Sequence, residues 1–122
     1  LVECEYEFYQ SIDEGGRPSS RTQCGLIKFV MPAPGDDDLF FYKWMFDKTQ
    51  THNGSIKMIL STDKQVQRYK TLHFINGYLV NLYEYFNNNN SLLVRTKITI
   101  SAEIMGFGVS GTEAVFRNEW TE

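Results

Sequence analysis

The stretch Leu92-Leu93-Val94-Arg95-Thr96-Lys97-Ile98-Thr99-Ile100-Ser101-Ala102-Glu103-Ile104-Met105 decides the fold class. Leu92, Val94, Ile98, Ile100 and Ile104 fall on one side of a period-2 pattern, with Thr96 and Ala102 between them. Arg95, Lys97, Thr99, Ser101 and Glu103 fall on the other side. Alternation of this kind is the signature of a strand with one face on a core and one on water. Fourteen residues at ~3.3 Å each would extend about 46 Å. That is far beyond a usual strand, and it points to a barrel or a strongly coiled sheet.

Working outward, the segment from about Tyr69 to Phe86 is also strand-rich, with Gly77 as an expected bulge or bend. Asn87 to Asn90 reads as the hairpin tip between these two long strands, since Asn tolerates left-handed backbone. Gly106, Gly108 and Gly111 are expected to end the long strand before a last short one, about 112 to 120. Upstream, His52-Asn53-Gly54 reads as a turn, followed by alternation through Ile56, Met58 and Leu60. Ser61 to Lys64 reads as a second turn.

Near the N-terminus, Val2, Cys4, Tyr6, Phe8 and Ile12 alternate with Glu3, Glu5, Glu7 and Ser11, which predicts a half-buried strand. The loop at 13–20 follows, carrying Gly15-Gly16 and Pro18. A second strand is expected over about 22–31, apolar on both faces and so covered on both sides. Asp36, Asp37 and Asp38 then precede Leu39-Phe40-Phe41-Tyr42-Lys43-Trp44-Met45-Phe46. Acids before an apolar run favour a helix start, so one helix is predicted at about 37–48. It is apolar nearly all round and needs cover on more than one side. Phe40, Trp44 and Met45 are its candidates for helix packing or a subunit contact.

The 122 residues fit a single domain, large enough to fold without a disulfide or metal staple. Hydrophobic content of 42% and charged content of 22% are globular. No apolar run is long enough for a membrane helix. A net charge of −3 supplies no basic field for nucleic acid. The two cysteines, Cys4 and Cys24, are read as buried thiols, with a single disulfide left open. The chain opens without Met in a strand pattern, so further residues are expected upstream.

The search for chemistry yields no catalytic, cofactor or metal residue. His52 and His73 have no partner at metal-binding spacing. Gly106-Phe107-Gly108 opens no helix and reads as a turn. Asp36 to Asp38 lack the alternation of a calcium loop. Arg17 and Arg21 flank a serine pair and read as loop charges or contacts to another chain. At this level the chain is a structural subunit or a monomeric β-barrel ligand carrier.

Specific residues resemble a known family. Cys4-x-Tyr6-x-Phe8-x-Gln10-x-x-Asp13, followed by Gly16-Arg17-Pro18-Ser19-Ser20, is similar to the tube protein of type VI secretion systems. This is the haemolysin-coregulated protein, Hcp or TssD, in its Bacteroidetes form. The resemblance continues through Gly25-Leu26-Ile27, Trp44-Met45, Gly54-Ser55-Ile56, Lys70-x-Leu72-x-Phe74 and Tyr78-x-Val80. It ends in Ile100-Ser101-Ala102-Glu103-Ile104 and Asn118-Glu119-Trp120. It implies a mainly β, phage tail-tube-like barrel of two packed antiparallel sheets with one flanking helix. It also implies hexameric rings stacked into a tube, with sheath, spike and effector proteins as partners. The protein would assemble in the cytoplasm and leave through the type VI apparatus. In such a ring Arg95, Lys97, Thr99, Ser101 and Glu103 would face the lumen.

Overall fold

In a computed structural model, the strand-dominated reading is realised, among the described residues, as eight strands and one helix. The structure describes residues 3–20, 22–24, 26–33, 39–62, 67–86, 94–118 and 120. The strands are β1 (Glu3–Glu5), β2 (Phe8–Tyr9), β3 (Gln23–Cys24), β4 (Ile27–Pro32), β5 (His52–Thr62), β6 (Gln67–Phe86), β7 (Val94–Val109) and β8 (Thr112–Arg117). The helix is α1 (Phe40–Phe46). One sheet has the order β1-β4-β7-β6-β5, with β8 also paired to β7, and β2 and β3 form a second, two-stranded sheet. The chain groups into two compact units. One comprises residues 1–50 and 78–101, the other 51–77 and 102–122.

In the first unit the alternation does what the sequence requires. Ile27 and Phe29 of β4 lie opposite Ile100 and Ile98 of β7, and all four are at most 3% exposed. Cross-strand pairs of this kind hold a sheet together. The other face of β4 is only partly covered, since Leu26 just before it is 43% exposed. The expected continuous strand over 22–31 is instead split into β3 and β4. The N-terminal strand is likewise split, and Ile12, expected on the buried face, is exposed and bridges Pro18. The loop between them is held by Asp13, whose Oδ1 accepts from the N–H groups of Gly15 and Arg17. Cys4 is a free, half-buried thiol. Burial, and then the charge of Glu5, push its pKa up, so it stays protonated.

The helix is shorter than predicted. It begins at Phe40 behind Leu39, which sits in the left-handed region (φ 54°) and caps with no side chain. The three aspartates expected to start it lie outside the described residues. At its end, Asp47 leaves helical conformation and accepts from the Thr49 hydroxyl and N–H. Those bonds hold the Asp47 carboxyl below its ordinary range. The aspartate thus closes the helix with a local turn, so the predicted last residue, Lys48, falls outside it.

The second unit carries the main departure from simple alternation. Neither Asn53-Gly54 nor Gly106-Phe107-Gly108 is a turn, because both lie inside strands. The ladder pairs His52 with Gly77 and then Gly54 with Phe74, so β6 has one extra residue. Asn76 adopts a left-handed conformation there, with φ 55°, as Asn does at modest cost. This is a β-bulge, one residue from the glycine expected to mark it. Beyond it, burial on β6 moves from Leu72 and Phe74 to Gly77 and Leu79. Burial on β7 changes phase as well, from Ala102 to Met105, so Ile104 is half-buried and not core.

Four polar side chains secure this corner. The Asn76 N–H donates to Asn53 Oδ1 (2.9 Å), and Asn76 Nδ2 donates to Glu103 Oε1 (2.8 Å). Asn118 donates from its N–H to the Glu103 carbonyl (2.7 Å) and from Nδ2 to the Ala102 carbonyl (2.7 Å). The Asn118 side chain thereby fixes the strand end that follows β8. The β7–β8 hairpin turns at Ser110-Gly111, both with positive φ (49° and 86°), which is the pattern that matches sheet twist.

Gly54 sits against Phe74. A Cβ at position 54 would lie 2.6 Å from Phe74 Cζ, and that ring is only 7% exposed. Gly54→Ala is therefore expected to lower stability by about 1–3 kcal/mol through overpacking. Urea unfolding measures this, and an unchanged midpoint would contradict the packing described.

Candidate functional site

The outer face of β7 in the first unit is where polar side chains and concavity coincide. Lys28 lies opposite Thr99, and Val30 lies opposite Lys97. Residues directly opposite share a face, so Lys28, Val30, Lys97 and Thr99 stand together. An open groove of about 570 Å³ runs over this face, walled by Leu26, Lys28 and Lys97 and, from β6, Val80, Asn81 and Tyr83. Thr99 also lines it and is only 5% exposed, so it forms the floor. Lys97 and Tyr83 project at the rim and are exposed. A second hollow of about 320 Å³ lies on the far side of Lys28, where Glu5, Tyr6, Glu7 and Leu26 meet it. In register, Glu5 stands opposite Lys28.

The five residues expected to line a lumen are thus divided. Lys97 and Thr99 meet in the groove. Arg95 and Ser101 are half-buried along the same strand. Glu103 belongs to the second unit, where its carboxylate receives the Asn76 amide. Sequence reading missed Lys28, Asn81 and Tyr83. The alternation of β4 carried a signal for Lys28, because it is the polar neighbour between the two buried positions Ile27 and Phe29. The inner face of β7 keeps one polar group, Thr96, whose hydroxyl donates to Glu84 Oε2 (3.1 Å).

The helix presents the other candidate residues. Trp44 is 3% exposed and stacks on Phe41 at 6.4 Å. Phe40 touches the same ring system at 5.9 Å but is 40% exposed. Met45 is half-buried, while Phe46 is 80% exposed. Trp44 is therefore taken up in the packing of its own chain, and Phe40 and Phe46 carry the exposed aromatic surface.

The histidines lie apart in the β5–β6 ladder, His52 opposite Gly77 and His73 opposite Ser55. His73 borders a depression of about 380 Å³ in the second unit, whose walls include Ile75, Ile104, Phe107 and Val115. Among the described residues no three of His, Cys, Asp and Glu gather at metal-binding distance. No helix among them is long and apolar enough to cross a membrane.

What this geometry provides is contact surface: a sheet with one apolar face and one polar, grooved face, and an aromatic helix. It defines a strand-dominated β-sheet protein. Comparison with known proteins makes the class specific. The family model "Hemolysin coregulated protein Hcp (TssD)" matches residues 1–121. Hcp1 from Flavobacterium johnsoniae is similar in structure, with a TM-score of 0.74 and 30% identity over 96% of this chain and 89% of that one. A mutant Hcp1 from E. coli EAEC 042 gives a TM-score of 0.75 at 13% identity, over 95% of this chain and 78% of that one. Another Hcp protein gives 0.79 at 12% identity, over 95% and 74%. No curated protein matches the chain. The chain belongs to the Hcp (TssD) family, a family of structural tube proteins of type VI secretion and not of enzymes.

Proposed function

We propose that this protein is the inner-tube subunit of a type VI secretion system. Copies close into hexameric rings, the rings stack into a tube within the sheath and behind the spike, and the tube carries effector proteins. It assembles in the cytoplasm and is then expelled. The observation that carries this reading is the family match over residues 1–121. The two faces of β7 support it, since the apolar face is used in the core and the polar one stays available. A wall that passes varied cargo must be hydrated and must not trap apolar surface. Lys97, exposed at the rim, supplies polar surface for such a wall, beside the exposed Leu26 and Val80. The whole chain acts as one tube-protein domain.

Labelling tests the exposure this reading needs. Lys97→Cys, made in a Cys4→Ser, Cys24→Ser background, is expected to react with a bulky maleimide dye in folded, assembled protein. Protection of that thiol would show that the face is closed, and the lumen assignment would fail.

A further inference from the structure

We propose that the groove over Lys97 is a recognition site for acidic protein segments, so that the cargo this face takes is selected by negative charge. This rests on the reading of that face as the wall cargo meets. The two lysines of the groove are not equivalent. Lys28 has Glu5 directly across from it on β1, and an opposite charge at that spacing offsets much of its field. Lys97 has Val30 across from it instead. Lys97 is exposed and shares the groove with Asn81 and Tyr83, beside the apolar Leu26 and Val80. An ammonium, an amide and a phenol around one hollow supply several hydrogen-bond donors to a carboxylate. Among the described residues that line the groove there is no carboxylate.

The surroundings decide what kind of anion fits. The chain as a whole carries −3, whereas the described lining of this groove holds two lysines and no acid. That contrast gives specificity more than raw affinity. Glu3, Glu5 and Glu7 lie on the β1 side, and Glu5 and Glu7 line the adjoining hollow. A long, uniformly charged strand of nucleic acid crossing the groove would run onto those acids. A short acidic peptide segment can end before them. One exposed ion pair contributes little, but a ring would present the groove once per copy, and repeated weak contacts add up by avidity.

The test uses the purified full chain, with its assembly state read by native mass spectrometry on the same sample. A fluorescein-labelled oligoglutamate peptide is titrated and followed by anisotropy. Binding is expected, and it should weaken as salt is added. Lys97→Ala should weaken it by about two- to fivefold, the share of one exposed ion pair, and Lys97→Glu should weaken it further. Lys48→Ala, a lysine outside the groove, should leave it unchanged. No binding, equal binding by Lys97→Glu, or tighter binding of an oligothymidylate of equal length would overturn the proposal. A monomeric mass would count against the tube reading and remove the avidity; the groove is then tested at peptide concentrations raised to offset that loss, where Lys97→Glu must still weaken binding.

Discussion

Ile100→Asp is expected to leave the chain unfolded. Ile100 is 1% exposed and faces Ile27, itself 1% exposed, across the β4–β7 ladder. Asp at that site would meet the buried apolar side chains of Ile27, Phe29 and Ile98 and not a cation. It must either stay ionised in an apolar core or fold protonated. Burial of this kind raises a carboxyl pKa by up to about 3–5 units. At pH 7 the cost stops growing once the folded pKa passes 7, so about three units count from an ordinary value of about 3.9, or about 4 kcal/mol. The apolar contacts of Ile100 are lost as well. A domain's whole stability is about 5–15 kcal/mol, so the sum is enough to abolish folding. Ile98→Asp, opposite Phe29, should behave alike. Soluble expression with native circular dichroism and a cooperative melt would refute the core assignment.

Trp44→Ala carries the second large effect. At 3% exposure, stacked on Phe41 and touched by Phe40, Trp44 loses both transfer energy and packing when truncated. A loss of about 3–5 kcal/mol is expected, measured by urea unfolding of the isolated subunit. A change within about 0.5 kcal/mol would mean that Trp44 behaves as a surface residue. Phe46→Ala provides the contrast. At 80% exposure it should scarcely move subunit stability, so any loss it causes should appear in the mass of the assembly.

How much of this was legible in the sequence depended on whether one periodicity ran unbroken. From Thr96 to Ala102 the even positions are all buried, as the pattern requires, although Thr99 on the other face is buried as well. Past Ala102 the burial phase shifts, so Ile104 could not be placed by counting twos. The cause is three-dimensional, because an extra residue on β6 is absorbed at Asn76 and tied to Asn53 and Glu103. Asn-Gly occurs at 53–54 and again at 76–77. Read as local turn chemistry, the first suggests a hairpin. In the folded chain the two dipeptides belong to one bulge, while the β7–β8 hairpin turns at Ser110-Gly111. Propensity for positive φ was therefore visible at these positions, but the use made of it was not. The groove was half legible. Lys97 and Thr99 follow from the face of one strand, whereas Asn81 and Tyr83 join them only once β6 is placed beside β7. The exposed Phe46 marks the same limit at the helix, since an apolar stripe says that cover is needed without saying which chain supplies it.

Native mass spectrometry of the purified protein, with negative-stain imaging of the same sample, tests the central claim most directly. A tube subunit should give a mass of six chains and annular particles with a central channel, and it should stack into short tubes as concentration rises. A single-chain mass at all concentrations, with no rings in the images, would contradict the account.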